Sequence, residues 1–275
     1  NTLIHTNALR NLAFVRPIFQ KQGFDQYEDI KPGHEYVISV DTARGVGGDF
    51  SAFVVIDVSD IPYRVVAKYR DKDISPLIYP ELIYNVANNF NQAFVLVEIN
   101  DIGEQVANVL YRDLEYENLF TTAAMGRAGQ RVGVWGGKNS QLGVRTTKQV
   151  KRIGCSTLKD LVEDQKIIIE DYDIIEELSN FISKRESYEA EEGHHDDLVM
   201  CLVLFGWLIR QEYFKDLTNS DIRQKYLADR EEIMDDEMLP FGFFDDGIED
   251  ERLSVEKVDH YSLEDLRDHP MWTRD

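Results

Sequence analysis

Hydrophobic residues follow an alternating or continuous pattern that predicts strands in the first part of the chain. Segments 35–41, 51–57 and 64–70 are rich in the β-branched and aromatic residues that favour strands. Because short turns separate them, we expect an antiparallel meander. Ser75 and Pro76 predict the start of a helix that ends near Phe90, since serine favours the N-cap and proline the first helical position.

The remaining pattern alternates between helix and strand. Residues 94–98 are almost wholly apolar, as is typical of a strand buried on both faces. The other predicted elements are helices at 103–114, 148–164, 172–181 and 196–210 and a strand at 166–170. This order predicts an α/β fold in which helices flank a mixed sheet.

Composition suggests one large domain with extensions. Of the 275 residues, 43% are hydrophobic, which is enough for a substantial core. We expect a lead-in or linker at residues 1–33, the main domain at 34–213 and an acidic extension at 214–275. Cys155 and Cys201 form no CxxC pair, which favours a reducing cytosol. No apolar run is long enough to span a membrane, and no signal peptide is visible.

Positive charge is concentrated in one part of an acidic chain. The formal net charge of −21 argues by itself against nucleic-acid binding, which needs Lys and Arg. Residues 118–159, however, contain no Asp or Glu, and we call them the basic segment. Its five glycines between 126 and 137 predict a loop or a flexible hairpin. Its surface is either merely solvated or contacts phosphate. The cations are Arg127, Arg131, Lys138, Arg145, Lys148, Lys151, Arg152 and Lys159.

Carboxylates stand at the ends of three apolar elements. Asp41 ends a predicted strand, Glu98 ends another, and Asp196 with Asp197 precedes an apolar helix. A turn would also explain Asp41, and an N-cap would explain Asp196 or Asp197. Glu98 suits neither a strand nor a turn. We therefore expect the three positions to converge at one edge of the sheet.

Converging carboxylates repel one another unless a cation neutralises them. Oxygen ligands select Mg²⁺ or Mn²⁺, and two such ions are a standard arrangement for phosphodiester hydrolysis. On this hypothesis Asp41 bridges two ions, and Glu98 and Asp197 each complete one side.

Weaker candidates lie nearby. Asp49, after the glycine-rich turn at 44–48, is either an outer ligand or a turn residue. His194 and His195 either steer a water or a phosphate, or are ordinary surface residues. They lack the partners of a zinc site. The segment 136–139 lacks the spacing and the hydroxyl of an ATPase phosphate loop.

Several blocks together resemble the nuclease domain of T4-like tailed-phage terminase large subunits. They are YVISVDTARGVGGDFSAFVVIDV, FVLVEIND, RIGCSTLKDLVED and AEEGHHDDLVMCLVLFGW. The resemblance covers about residues 35–207. It implies a ribonuclease-H-like and RuvC-like fold, with an antiparallel three-strand meander plus parallel strands. It also implies a two-metal endonuclease that cuts concatemeric double-stranded viral DNA, with little sequence preference, when packaging starts and ends.

The resemblance also implies roles for residues. Asp41, Glu98 and Asp197 match the catalytic acids and metal ligands, while Asp196 and Asp49 match supporting carboxylates of the same site. The basic segment would grip the DNA backbone. The implied partners are an ATPase motor domain, which has no motif in this chain, and the portal and the small terminase. The implied location is the cytoplasm of the infected bacterial host. Because the chain opens on Asn rather than Met, we expect it to be part of a longer protein.

Two other classes of function remain open. A junction resolvase or a transposase core could use the same fold, and a resolvase would be recognised by a preference for four-way junctions over plain duplexes. A non-catalytic docking module could use the carboxylates as caps and the acidic extension to bind a basic partner. Such a module would bind no divalent ions and would leave duplex DNA intact.

Overall fold

The structure is a computed structural model that describes residues 2–43, 50–124, 130–133, 140–184 and 187–217. The strands are β1 (Phe19–Lys21), β2 (Phe24–Gln26), β3 (Tyr36–Asp41), β4 (Ser51–Asp57), β5 (Tyr63–Asp71), β6 (Phe94–Val97), β7 (Thr121–Ala124), β8 (Gln130–Gly133), β9 (Ser140–Leu142), β10 (Ile167–Ile168), β11 (Phe181–Lys184) and β12 (Ser187–Ala190). The helices are α1 (Thr6–Asn11), α2 (Tyr79–Asn89), α3 (Gly103–Asn108), α4 (Lys148–Glu163), α5 (Tyr172–Asn180), α6 (Asp197–Leu208) and α7 (Glu212–Leu217).

A seven-stranded mixed sheet organises these elements. Its strand order is β1-β2-β5-β4-β3-β6, and β10 pairs in parallel with β5. β3, β4 and β5 form the predicted antiparallel meander, whereas β6 runs parallel to β3. The predicted α/β fold with a mixed sheet is therefore confirmed.

β3 and β4 are apolar along almost their whole length because both faces of the sheet are covered. Every residue of β4 is buried, and only Asp41 of β3 is partly exposed. All residues of α6 are buried too, since this helix packs on β3 and β4 and is itself covered by α4. Elements buried on all sides lose the polar stripe of a surface element, which explains their continuous apolar sequences.

Two glycines allow α4 and α6 to cross closely. A Cβ atom on Gly154 of α4 would lie 2.1 Å from the carbonyl oxygen of Val203 in α6. A Cβ atom on Gly206 of α6 would lie 2.7 Å from the carbonyl oxygen of Gly154. Both distances are shorter than any real Cβ contact, so the crossing requires hydrogen at these two positions.

Three local features differ from the sequence-based expectation. α2 begins at Tyr79, four residues after Ser75, because the Ser75 hydroxyl accepts a hydrogen bond from Leu77 N in a preceding turn. Within the expected lead-in, β1 and β2 form a hairpin that joins the sheet through β2 and β5. After α5, the chain forms the β11–β12 hairpin, which the sequence did not predict.

The basic segment contributes a second sheet rather than a plain loop. Its strands lie in the order β8-β7-β9 and pair in antiparallel fashion. The expected acidic extension begins inside α7, and residues 218–275 lie outside the described part of the chain. None of the described helices is long and apolar enough to cross a membrane.

Candidate active site

The pairing of β3 with β6 brings Asp41 and Glu98 side by side. Val40 is in register with Val97, so the next residue of each strand stands at the same edge of the sheet. The backbone N–H of Glu98 donates to the carbonyl of Val40 at 2.9 Å. The two carboxyl groups also interact, because Glu98 raises the pKa of Asp41.

The first residue of α6, Asp197, reaches the same edge. Its Oδ1 accepts a hydrogen bond from the backbone N–H of Phe50, just before β4, at 3.3 Å. One turn along the helix, the Cys201 thiol lies 3.5 Å from the carbonyl of Ala52, which is the residue opposite Asp41 in the sheet. These contacts fix the beginning of α6 against the end of β3.

The electrostatics of this group, which we call the acidic site, are those of crowded carboxylates. Burial raises the pKa of the Asp41 carboxyl well above its usual range, and the hydrogen bond to Glu98 and the charges of Glu98 and Asp197 raise it further. The backbone N–H of Thr42 lowers this pKa but does not offset the other causes. Glu98 and Asp197 are themselves 9% and 8% exposed, so water screens the repulsion poorly.

Neighbouring groups hold the acidic site in place. The Asn100 amide donates to Oε1 of Glu98 at 2.9 Å. The Tyr79 hydroxyl lies 2.8 Å from the carbonyl of Ala52 and 3.3 Å from that of Asp41. A Cβ atom on Gly103 would lie 1.7 Å from the carbonyl oxygen of Glu98, so α3 approaches this backbone only because residue 103 is glycine.

A second acidic group lies elsewhere and is already neutralised. Among the described residues, the carboxylates whose ligand oxygens all lie within 4.8 Å of one another are those of Asp25, Asp171 and Asp173, not those of the acidic site. Lys68 is 4% exposed. Its ammonium lies 2.9 Å from the carboxylate of Asp25, 4.0 Å from that of Asp171 and 2.5 Å from that of Asp173. This lysine cluster has its own cation, so its geometry gives no reason to expect a metal ion there.

The structure describes one of the two supporting acids expected from the sequence. Asp196 occupies the N-cap position of α6, but its carboxylate accepts a hydrogen bond from Ala190 N of β12 at 3.2 Å. Asp49 lies outside the described residues. His195 is nearer, with Nδ1 3.7 Å from Oδ2 of Asp197, whereas His194 is exposed.

Part of the basic segment presents cations to solvent. Arg131 of β8 and Arg145 after β9 are exposed, and the side chain of Gln130 links their strands by bonding the backbone N–H and carbonyl of Arg145. At the beginning of α4, Lys148 and Arg152 are exposed, and the ammonium of Lys151 lies 5.7 Å from the centre of the Phe181 ring. Two further predicted DNA-binding residues, Arg127 and Lys138, lie outside the described residues.

The first turn of α4 contains no acidic residue. Its positive helix end is thus surrounded by cations instead of being offset by carboxylates, which leaves a surface suited to an anion.

Sequence reasoning missed two charged residues beside the acidic site. Glu177 of α5 is 3% exposed, and its Oε2 accepts a hydrogen bond from Val199 N in the first turn of α6 at 3.0 Å. Arg70 of β5 donates to Oε1 of Glu177 at 2.9 Å. Both lie on elements far from α6 in the chain, and only the charge of Glu177 on the otherwise apolar side of α5 could have indicated it.

Comparison with known proteins identifies the fold and the family. The sequence pattern of the family described as terminase RNase H-like domain matches residues 38–205. The magnesium-bound large terminase nuclease of thermophilic phage G20c is 19% identical, with a TM-score of 0.57 over 75% of this chain and 96% of that one. The cobalt-bound form of that nuclease gives 22% identity and a TM-score of 0.56 over the same shares. The large terminase nuclease domain of Thermus phage P74-26 gives 21% identity and a TM-score of 0.53, over 74% and 93%.

Proposed function

Since the chain belongs to the terminase RNase H-like domain family, we propose that it is a divalent-metal-dependent endonuclease that cuts viral DNA during genome packaging. One observation carries the proposal. Asp41, Glu98 and Asp197, which are distant in sequence, crowd at one sheet edge, where the charges of Glu98 and Asp197 raise the pKa of Asp41.

The two acidic groups of the molecule support a metal role for one of them. In the lysine cluster, an ammonium supplies the positive charge that buried carboxylates require. In the acidic site, Nδ1 of His195 lies 3.7 Å from Oδ2 of Asp197, and histidine is charged only when protonated. Carboxylate oxygens are hard ligands that suit Mg²⁺ or Mn²⁺. The residues present therefore fit such ions.

We also propose that the acidic site holds two ions about 3.5–4 Å apart, the arrangement that in-line hydrolysis of a phosphodiester uses. We propose that Asp41 bridges the pair and that Glu98 and Asp197 each bind one side. The magnesium and the cobalt bound in structures of the related G20c nuclease support the part of the proposal that names a divalent ion.

In this proposal the three acids contribute to cleavage by holding the ions in position with their negative charge. When bound, the two ions activate a water and stabilise the leaving oxygen of the phosphodiester. Asp41 lies between Glu98 and Asp197, and Asn100 keeps the Glu98 carboxylate oriented through its amide. Glu98 and Asp197 are themselves buried.

The exposed cations of the basic segment supply contacts to the DNA backbone in this proposal. Arg131, Arg145, Lys148 and Arg152 meet phosphates without reading bases, which suits cutting with little sequence preference. Lys151 adds to the same face of α4. Arg127 and Lys138 are proposed for the same role from the sequence alone.

The biological setting follows from the family and is proposed in the same way. The substrate is concatemeric double-stranded viral DNA, cut when packaging starts and ends in the cytoplasm of the infected host. The partners are a terminase ATPase domain, the portal and the small terminase.

Cleavage of supercoiled plasmid by the wild-type chain and by Asp41→Asn tests the proposal. We expect nicking and linearisation in Mg²⁺ or Mn²⁺ by the wild-type chain and none by Asp41→Asn. The variant should melt at no lower temperature without metal, because an amide replaces a carboxyl whose pKa burial raises. Asp25→Asn, which alters the lysine cluster, is the matched control and should cleave normally. Full activity in Asp41→Asn would contradict the proposal, and a strong preference for four-way junctions would indicate a resolvase.

A further inference from the structure

The N-terminus of α6 is capped by a residue from another helix. A helix begins with backbone N–H groups that have no partner within the helix, and the N-cap side chain usually accepts from one of them. Asp196 is at that position but bonds to β12 instead. Glu177 of α5 replaces it, since its Oε2 accepts from Val199 N at 3.0 Å. The helix turn that begins at Asp197 is therefore held from α5.

Arg70 links the Glu177 carboxylate to Phe50, which contacts Asp197 from the other side. Its guanidinium donates to Oε1 of Glu177 at 2.9 Å and lies 4.8 Å from the centre of the Phe50 ring. The backbone N–H of Phe50 in turn donates to Oδ1 of Asp197 at 3.3 Å. Arg70 thus contacts both the capping carboxylate and the residue that binds Asp197 directly.

The charge arrangement indicates a role beyond stability. Glu177 places a second carboxyl group near Asp197, and the ionised form of this group repels that carboxylate, which an apolar residue of similar size would avoid. Arg70 offsets that charge and also pairs with Asp173 at 3.5 Å. Despite this repulsion, the pair controls the direction of the Asp197 carboxylate through two separate contacts. Glu177 contacts the backbone of α6 at Val199 N, and Arg70 contacts Phe50.

We propose that Glu177 and Arg70 are positioning residues that orient Asp197 as a metal ligand, an inference that rests on the proposed nuclease function. Neither residue touches substrate in this account. Groups that orient metal ligands typically change metal affinity or activity by about 10- to 100-fold when they are removed.

The test measures Mn²⁺ binding by calorimetry, plasmid cleavage rates and thermal unfolding on the same preparations. Glu177→Ala should weaken Mn²⁺ binding by about 10- to 100-fold and lower kcat while KM for DNA stays unchanged. Glu177→Gln keeps an oxygen for Val199 N and should recover part of this loss. Arg70→Met should weaken Mn²⁺ binding in the same direction, which keeps the test decisive if Glu177→Ala does not fold.

Asp25→Asn is the control for a purely structural role. It breaks a contact with Lys68 of 2.9 Å that is similarly buried, but it touches neither α6 nor Phe50. It should lower the melting temperature and leave Mn²⁺ affinity and kcat unchanged. If Glu177→Ala and Arg70→Met both kept the wild-type Mn²⁺ affinity and kcat, the inference would be overturned. The proposed function would still stand. A wild-type chain that neither binds Mn²⁺ nor cleaves DNA would overturn the proposed function, and the inference with it.

Discussion

At the scale of single residues, the environment of each carboxylate decides its chemistry. Burial against the surrounding protein is the largest cause that raises the pKa of both Asp41 and Asp171. The charge of Lys68 lowers the pKa of Asp171, whereas Glu98 and Asp197 raise that of Asp41. The same residue type thus lies beside a buried ammonium in one place and beside further carboxylates in the other.

Glu177 gives a pH-dependent prediction. Burial raises its pKa from 4.5 to about 7, and the charge of Asp197 also raises it, while Val199 N and Arg70 lower it. The folded chain therefore binds a proton more tightly than the unfolded chain. The stability that this proton contributes is fully present below about pH 4.5 and is lost as the pH rises through about 7.

Urea unfolding between pH 5 and 8 measures the effect. The wild-type chain should lose on the order of 3 kcal/mol relative to Glu177→Gln as the pH rises, because the amide does not titrate. Parallel pH profiles for the two chains would show that Glu177 titrates normally in the folded protein.

The sequence indicates some site residues and not others for a physical reason. Asp41 and Glu98 follow apolar strands, so their charge stands out against the local pattern, and the parallel register of β3 and β6 brings them together. Their roles as metal ligands stay predictions. The contacts of Glu177 and Arg70 arise only when α5, β5 and α6 pack, and no local pattern encodes such contacts.

At the scale of elements, close packing of α4 on α6 supports the acidic site from behind. A methyl group on Gly154 would meet the Val203 carbonyl. Alanine normally favours a helix over glycine by up to about 1 kcal/mol. Gly154→Ala should nevertheless destabilise the chain by about 1–3 kcal/mol because the helices must separate. Denaturant unfolding checks this, with the exposed Ser156→Ala as control. A stabilised Gly154→Ala variant would mean that the crossing tolerates a wider spacing.

The lysine cluster gives a second prediction at this scale. Lys68→Met leaves Asp25, Asp171 and Asp173 without their cation and should cost about 3–5 kcal/mol. Mg²⁺ should raise the melting temperature of this variant more than that of the wild-type chain, because the three carboxylates can then share a divalent ion. Lys72→Met, at an exposed position, should show neither effect. An unchanged melting temperature in Lys68→Met would contradict the assigned role.

Element boundaries show where local patterns fail. Ser75 and Pro76 have the residue types of a helix start, but Ser75 serves a turn, and α2 begins at Tyr79. The β1–β2 hairpin is short and gains its stability by pairing with β5, which the sequence of residues 19–26 does not reveal. Long apolar elements such as β4 and α6 were predicted well because burial alone determines their composition.

At the scale of the whole molecule, positive charge is concentrated in one part of an acidic sequence. A chain with a formal net charge of −21 repels DNA, yet its basic segment offers a surface rich in cations. Arg152→Glu should weaken duplex binding and reduce its dependence on salt concentration, because phosphate contacts release counterions. Filter binding at several salt concentrations checks this. Lys166→Glu, an exposed cation outside the basic segment, should bind as the wild-type chain does.

The central claim is that Asp41, Glu98 and Asp197 together hold divalent ions. Anomalous diffraction from a crystal soaked in Mn²⁺ tests it most directly. We predict two peaks about 3.5–4 Å apart, both in contact with Asp41 and each with one of the other two acids. A map with no peak among these residues, or with Mn²⁺ bound elsewhere on the chain instead, would contradict the claim.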